Sequence, residues 1–205
     1  MPKNGPSLPL AYGRGSVAGS ESPEGRGPLT VCLAIVVLCC VFGPLRAQTP
    51  KPTEYEVEAA YLSNFGRFVE WPARPGTAND VFNVCVLGPD PFGPLLDAAL
   101  KNEIINGAPM MAKRIATPEE AGGCRIVFLN SPKESQLDAT LNTLAAAGAV
   151  TVSDMANFTR RGGMIQFILD GNRVRFEINL AAAQRARLTL SSQLLKLAVA
   201  VRRAP

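Results

Sequence analysis

Two kinds of hydrophobic pattern alternate along the chain from residue 54 onward. The segment Glu54 to Val69 places Val57, Tyr61, Phe65 and Phe68 at steps of four and three, one aromatic stripe down a helix. Trp71-Pro72 is expected to end it, because Pro72 disfavours helical geometry at Trp71 and Pro75-Gly76 extend the break. The run Val81 to Leu87, closed by Gly88-Pro89, reads as a buried strand. Asp90 follows as a candidate cap for a helix over Pro91 to Lys101, which carries Phe92, Leu95, Leu96 and Ala99 on one face. Met110 to Ile115 is a candidate strand. Gly122-Gly123 introduces another at Cys124 to Leu129, a helical pattern covers Glu134 to Ala147, and Val150 to Ser153 is a further strand candidate.

The last third changes period. Met164 to Leu169 and Arg173 to Leu180 flank Asp170-Gly171, a hairpin signal, since glycine tolerates the positive φ of tight hairpin turns. Val174, Phe176 and Ile178 alternate with Arg173, Arg175, Glu177 and Asn179, so one face is buried and the other polar. A short helix is expected over Ala181 to Arg187. A last one, capped by Ser191 or Ser192, is expected to carry Leu194, Leu195, Leu197, Ala198 and Val201. The fold class is α/β: a mostly parallel sheet flanked by helices, with a C-terminal antiparallel hairpin and a terminal helix.

An apolar run upstream changes where this domain is expected to work. Leu29 to Phe42 follows Arg14 and Arg26 and ends shortly before Leu45-Arg46-Ala47. It suits the apolar segment of a secretory signal and falls short of the roughly 20 residues of a membrane span. Residues 1–47 are read as a signal peptide cut after Ala47, leaving 48–205 as a single domain outside the cytoplasm. Cys39 follows Leu38 and Cys40 follows Cys39, which is not the small-residue setting of a lipid anchor; an uncleaved anchor is the alternative. Removing Lys3, Arg14, Arg26, Arg46, Glu21 and Glu24 takes the formal charge from +4 to +2, so nucleic acid is not implied.

Of five cysteines, Cys85 and Cys124 remain after the leader. Two cysteines in an oxidising compartment suggest one disulfide, with two buried free thiols as the alternative. If their strands are parallel neighbours, the two are offset along the sheet, and the Gly122-Gly123 loop would have to absorb that offset. The chain has no histidine, which removes the commonest general base and metal ligand. No phosphate-cradling glycine motif is present, and nothing marks two of Asp154, Asp170 and Glu177 as a catalytic pair. These residues support no enzyme, no metal and no cofactor.

Several blocks together resemble the YfiR family of small periplasmic regulators. They are Glu56 to Phe65 with Phe68-Val69-Glu70-Trp71-Pro72, Val84 to Gly88 before Pro91-Phe92-Gly93, and Cys124 to Phe128. Thr151 to Asp154, Phe158, Gly162 to Ile165, Arg175 to Leu180 and Ser191 to Ala198 follow in the family's order. The resemblance implies a repressor that binds the periplasmic sensor domain of an inner-membrane diguanylate cyclase, or of a kinase, lowering cyclic di-GMP and biofilm formation. It also implies an outer-membrane OmpA-like lipoprotein as a second partner, a homodimer, and a disulfide between Cys85 and Cys124. The family's later cysteine pair has no counterpart here. Arg74 resembles a position implicated in small-ligand contacts, and Ile165 and Glu177 resemble positions of a partner surface. Each also has a plain structural reading: a solvated loop charge, a core residue and an exposed strand residue. The alternative function is a small-molecule-binding module that signals through a membrane partner, with its pocket near Arg74.

Overall fold

In a computed structural model, residues 51–72, 81–130 and 133–203 are described, all within a unit spanning Pro50–Pro205. The expected leader, 1–47, and Arg74 lie outside them. The first helix, α1 (Glu54–Phe65), is set by Thr53, whose hydroxyl accepts from Glu56 N at 3.3 Å while Glu56 Oε2 accepts from Thr53 N at 2.6 Å. This reciprocal pair satisfies two donors that a helix start leaves open. The helix stops at Phe65, well before Trp71-Pro72, and β1 (Val69–Glu70) lies between. The aromatic stripe still reaches the core: Tyr61 and Phe65 meet Phe176 edge-on at 5.4 and 5.3 Å, and Phe68 packs alongside.

The central strands are β2 (Phe82–Leu87), β4 (Ala108–Ile115), β5 (Cys124–Leu129), β6 (Val150–Ser153), β7 (Ile165–Asp170) and β8 (Arg173–Asn179). With β3 (Ile104–Ile105) and β10 (Ala200–Arg202) they form one sheet in the order β10-β8-β7-β6-β5-β2-β4-β3. The run from β4 through β2, β5 and β6 to β7 is parallel. The hairpin β7-β8 is antiparallel, as is β3-β4, so the sheet is mixed around a parallel centre. A two-stranded ladder, β1 with β9 (Thr189–Leu190), stands apart from it.

Alternation along these strands divides two cores. Val84, Val86, Ile126, Phe128, Val150, Val152, Ile165 and Phe167 face α1, α2 (Pro94–Leu100), α4 (Leu180–Arg185) and α5 (Ser192–Leu197). Cys85, Val127 and Leu129 face α3 (Leu137–Ala146), which contributes Leu137, Leu141 and Leu144. Both faces of β2 and β5 are therefore covered, which is why they read as continuous apolar runs. Among the described residues, no helix is long and apolar enough to cross a membrane.

Local differences from the sequence reading have identifiable causes. Asp90 is not the cap of α2; that position is Gly93. Asp90 instead accepts from Phe92 N at 2.8 Å and from Arg114 Nε at 2.8 Å, and Arg114 also holds Asp97 and the Gly93 carbonyl. One guanidinium thus ties the start of α2 to β4. The hairpin turn is Gly171-Asn172, with positive φ at Gly171, the first turn position. Helix α5 ends at Leu197, and Val201 lies in a strand.

The cysteine offset is absorbed by a bulge. The β2-β5 ladder steps from Asn83↔Cys124 to Val84↔Ile126, making Arg125 the extra residue. Strict alternation would have placed Cys124 on the face of Ile126 and Phe128, opposite Cys85. The bulge turns it to the face of Cys85, Val127 and Leu129. Cys85 and Cys124 are disulfide-bonded, with Cα atoms 5.9 Å apart and both residues fully buried.

Candidate functional site

The two-stranded ladder positions one wall of a cleft. Val69 pairs with Leu190 and Glu70 with Thr189, so the Trp71 that follows β1 comes beside the chain that leaves α4. There Arg185, Ala186 and Arg187 line the cleft, with Arg187 at φ 61°, a conformation uncommon for a side-chain-bearing residue. Ala145 to Gly148, at the end of α3, form the opposite wall, and Gly122, just ahead of β5, completes it. The cleft holds about 710 Å³, within the range of ordinary ligand sites.

Trp71 is fixed in this wall by two neighbours. Its ring meets Phe82 edge-on at 5.3 Å, and the Arg125 guanidinium lies 5.9 Å from its centroid. The bulge that turns Cys124 therefore also brings Arg125 to the indole. Among the described residues, the buried Trp71 Nε1 has no hydrogen-bond partner. Such an orphaned donor costs about 1–3 kcal/mol, and native proteins usually satisfy it with water or a ligand. With two arginines and, among the described residues, no carboxylate in the lining, the cleft suits an anionic ligand.

The expected site residues fall in different places. Arg74 lies outside the described residues; Pro72, two positions earlier, lines the cleft. Ile165 is buried on the main core face of β7. Glu177 sits on the opposite face of the hairpin, with its side chain 13% exposed. It accepts from the Thr159 hydroxyl and lies 3.9 Å from Arg202 Nε. Asn179, next on that face, donates to the Thr159 carbonyl at 2.8 Å and accepts from Ala182 N at 2.9 Å, capping α4. The 155–163 connection thus covers this end of the polar face. Arg185 and Arg187 are not singled out by sequence; their only signal is a pair of cations in the last turn of the helix expected over Ala181 to Arg187.

A second polar group is buried between α1 and the end of β6. Glu58 is 1% exposed and, among the described residues, neither carboxyl oxygen has a partner. Burial first, then Asp154 and Glu54, pushes its pKa up to about 8. Burial also raises Asp154, and the Tyr55 hydroxyl is raised by burial and then by Asp154, Glu58 and Glu54. The site therefore favours a neutral Glu58 at neutral pH.

Comparison with known proteins places this arrangement. The fold is similar to that of a conserved domain protein from Vibrio cholerae O1 biovar El Tor str. N16961, with TM-score 0.50 and 11% identity. The alignment covers 73% of this chain and 60% of that one, so the chain spans less than two thirds of its relative's length. The ABC domain in complex with L-Trp from Streptococcus pneumoniae shares 12% identity over 59% of this chain and 55% of its own, and its TM-score of 0.42 falls short of a shared fold. Residues 55–199, from the start of α1 through the disulfide-linked sheet and both walls of the cleft, match the family described as YfiR/HmsC-like, and the chain belongs to that family.

Proposed function

We propose that the chain is a non-catalytic periplasmic regulator that binds and represses the periplasmic sensor domain of an inner-membrane diguanylate cyclase, lowering cyclic di-GMP signalling. The observation that carries this reading is the family match over residues 55–199, since YfiR-like proteins regulate a diguanylate cyclase pathway from the periplasm. The expected leader, residues 1–47, and a buried disulfide suited to an oxidising compartment support it. An OmpA-like lipoprotein that sequesters the repressor, and a homodimeric state, belong to the same reading. Deleting the gene is expected to raise cellular cyclic di-GMP. Crosslinking from the tagged protein is expected to capture a membrane cyclase; unchanged cyclic di-GMP with no cyclase captured would sink the reading.

The cleft favours a second function on the same scaffold, a small-molecule input. The lining of Trp71 with Arg185 and Arg187 is the observation behind it. Small carboxylates and phosphates are the expected ligands. A true ligand at about 100 times its dissociation constant stabilises the fold by roughly 2.7 kcal/mol. In a thermal-shift screen this stabilisation is expected to disappear in Arg187→Glu. Equal shifts in the variant and the parent would exclude the cleft.

A further inference from the structure

Among the described residues, the large sheet ends in an unpaired edge. Strand β10 closes the strand order, with β8 as its neighbour among the described residues. Val199 N donates to Phe176 O at 2.9 Å. Successive N–H groups of a strand point to opposite edges, so those of Ala200 and Arg202 point away from β8. Leu197 and Val199 beside this edge are 64% and 46% exposed, so apolar side chains stand next to the unpaired strand.

The other side of the same edge is basic. Parallel register aligns Ala200 with Glu177 and Arg202 with Asn179, which puts Arg202 on the polar face of the hairpin. Arg175 lies exposed on that face, and Lys196 and Arg203 are exposed at the ends of the edge. Of the nearby carboxylates, Glu177 is engaged by Thr159 and Arg202, and Asp170 sits at the hairpin tip opposite Arg173. A second copy is a poor occupant, because two-fold pairing sets the same cations against one another.

We propose that the β10 edge is a strand-addition site for an extended acidic segment of a protein partner, one with apolar residues along one side and carboxylates along the other. Main-chain hydrogen bonds to Ala200 and Arg202 supply the docking, and the alternating side chains supply the selection. The inference deepens the regulatory reading, on which it rests for the partner's identity, by giving the surface of engagement.

The probe is a peptide of about seven residues, the length of an ordinary strand, alternating valine and glutamate, against its valine and lysine counterpart. Titrated into the isotopically labelled protein recovered from the periplasm, the acidic peptide is expected to shift the amides of Ala200 and Arg202, and the basic one to leave them unmoved. Ala200→Pro removes an outward donor while leaving the inward bond of Val199, and is expected to weaken binding about tenfold or more. Arg175→Glu, on an exposed position that tolerates change, is expected to weaken the acidic peptide and admit the basic one. Equal binding of the two peptides, no binding of either, or binding unaffected by both variants would overturn the site. In cells, repression by the parent chain with none by a folded Ala200→Pro supports it; repression retained by both variants overturns it. A parent chain that represses nothing defeats the functional reading instead, and the titration alone then decides the edge.

Discussion

Removing the Cys85–Cys124 bridge, as the Cys85→Ala/Cys124→Ala double variant, is expected to lower the unfolding free energy by about 4 kcal/mol. The bridge joins residues 39 apart in sequence, and cross-linking a loop of that length removes roughly this much chain entropy from the unfolded state. For a domain whose whole stability is about 5–15 kcal/mol, that is a large share. At this chain length it lowers the melting temperature by about 10 °C or more. Both cysteines are fully buried, so a reductant reaches them through opening of the fold. Denaturant unfolding is the measurement: the parent unfolded with reductant is expected to match the variant, and the two to differ from the oxidised parent chiefly in midpoint. A variant within about 1 kcal/mol of the oxidised parent would mean that the reduced chain is already constrained. The same bulge carries Arg125 to Trp71, so cleft geometry is expected to loosen with the bridge, and ligand-induced shifts to fall in the double variant.

Glu58 is expected to make the protein less stable as pH rises. Its folded-state pKa, raised to about 8, stands above its ordinary value of 4.5. Between those values the folded state keeps a proton that the unfolded state releases, so stability falls with rising pH by up to about 1.4 kcal/mol per unit. The contribution is fully present below the unfolded value and is lost as pH rises through the folded one. Asp154, raised by its own burial, acts in the same direction. Glu58→Gln is neutral at every pH and is expected to flatten the slope between pH 5 and 8, whatever it does to absolute stability. Urea midpoints across that range are the check; parallel slopes for parent and variant would place the titration elsewhere.

The residues that could be read from sequence are those whose pattern repeats within their own segment. Strands β2 and β5 are runs covered on both faces, and β8 alternates Val174, Phe176 and Ile178 with polar residues, so period alone identifies them. The α1 stripe is legible for the same reason, although Glu58, the residue with the largest chemical consequence there, lies off it, on the buried face with Ala59 and Leu62. Nothing local marks Glu58 as buried, because its burial comes from packing against distant elements. Strands β1, β9 and β10 are two or three residues long and exist only because their partners are in place. Hence Leu195, Leu197, Ala198 and Val201 suggested one helix where the chain turns from α5 into an edge strand. The bulge at Arg125 was equally hidden: it is a property of the β2-β5 ladder, and no single strand shows it. The cleft unites Trp71 with Arg185 and Arg187 across more than a hundred positions, so sequence indicated one wall, through the Trp-Pro block, and not the other.

Repression exerted from outside the cytoplasm is read out by intracellular cyclic di-GMP in a deletion strain. Complementation with the full chain is expected to restore the low level of the parent strain, and complementation with a chain lacking 29–42 to leave cyclic di-GMP high. Restoration by the chain without its apolar run, or a deletion strain whose cyclic di-GMP never rises, would contradict the account.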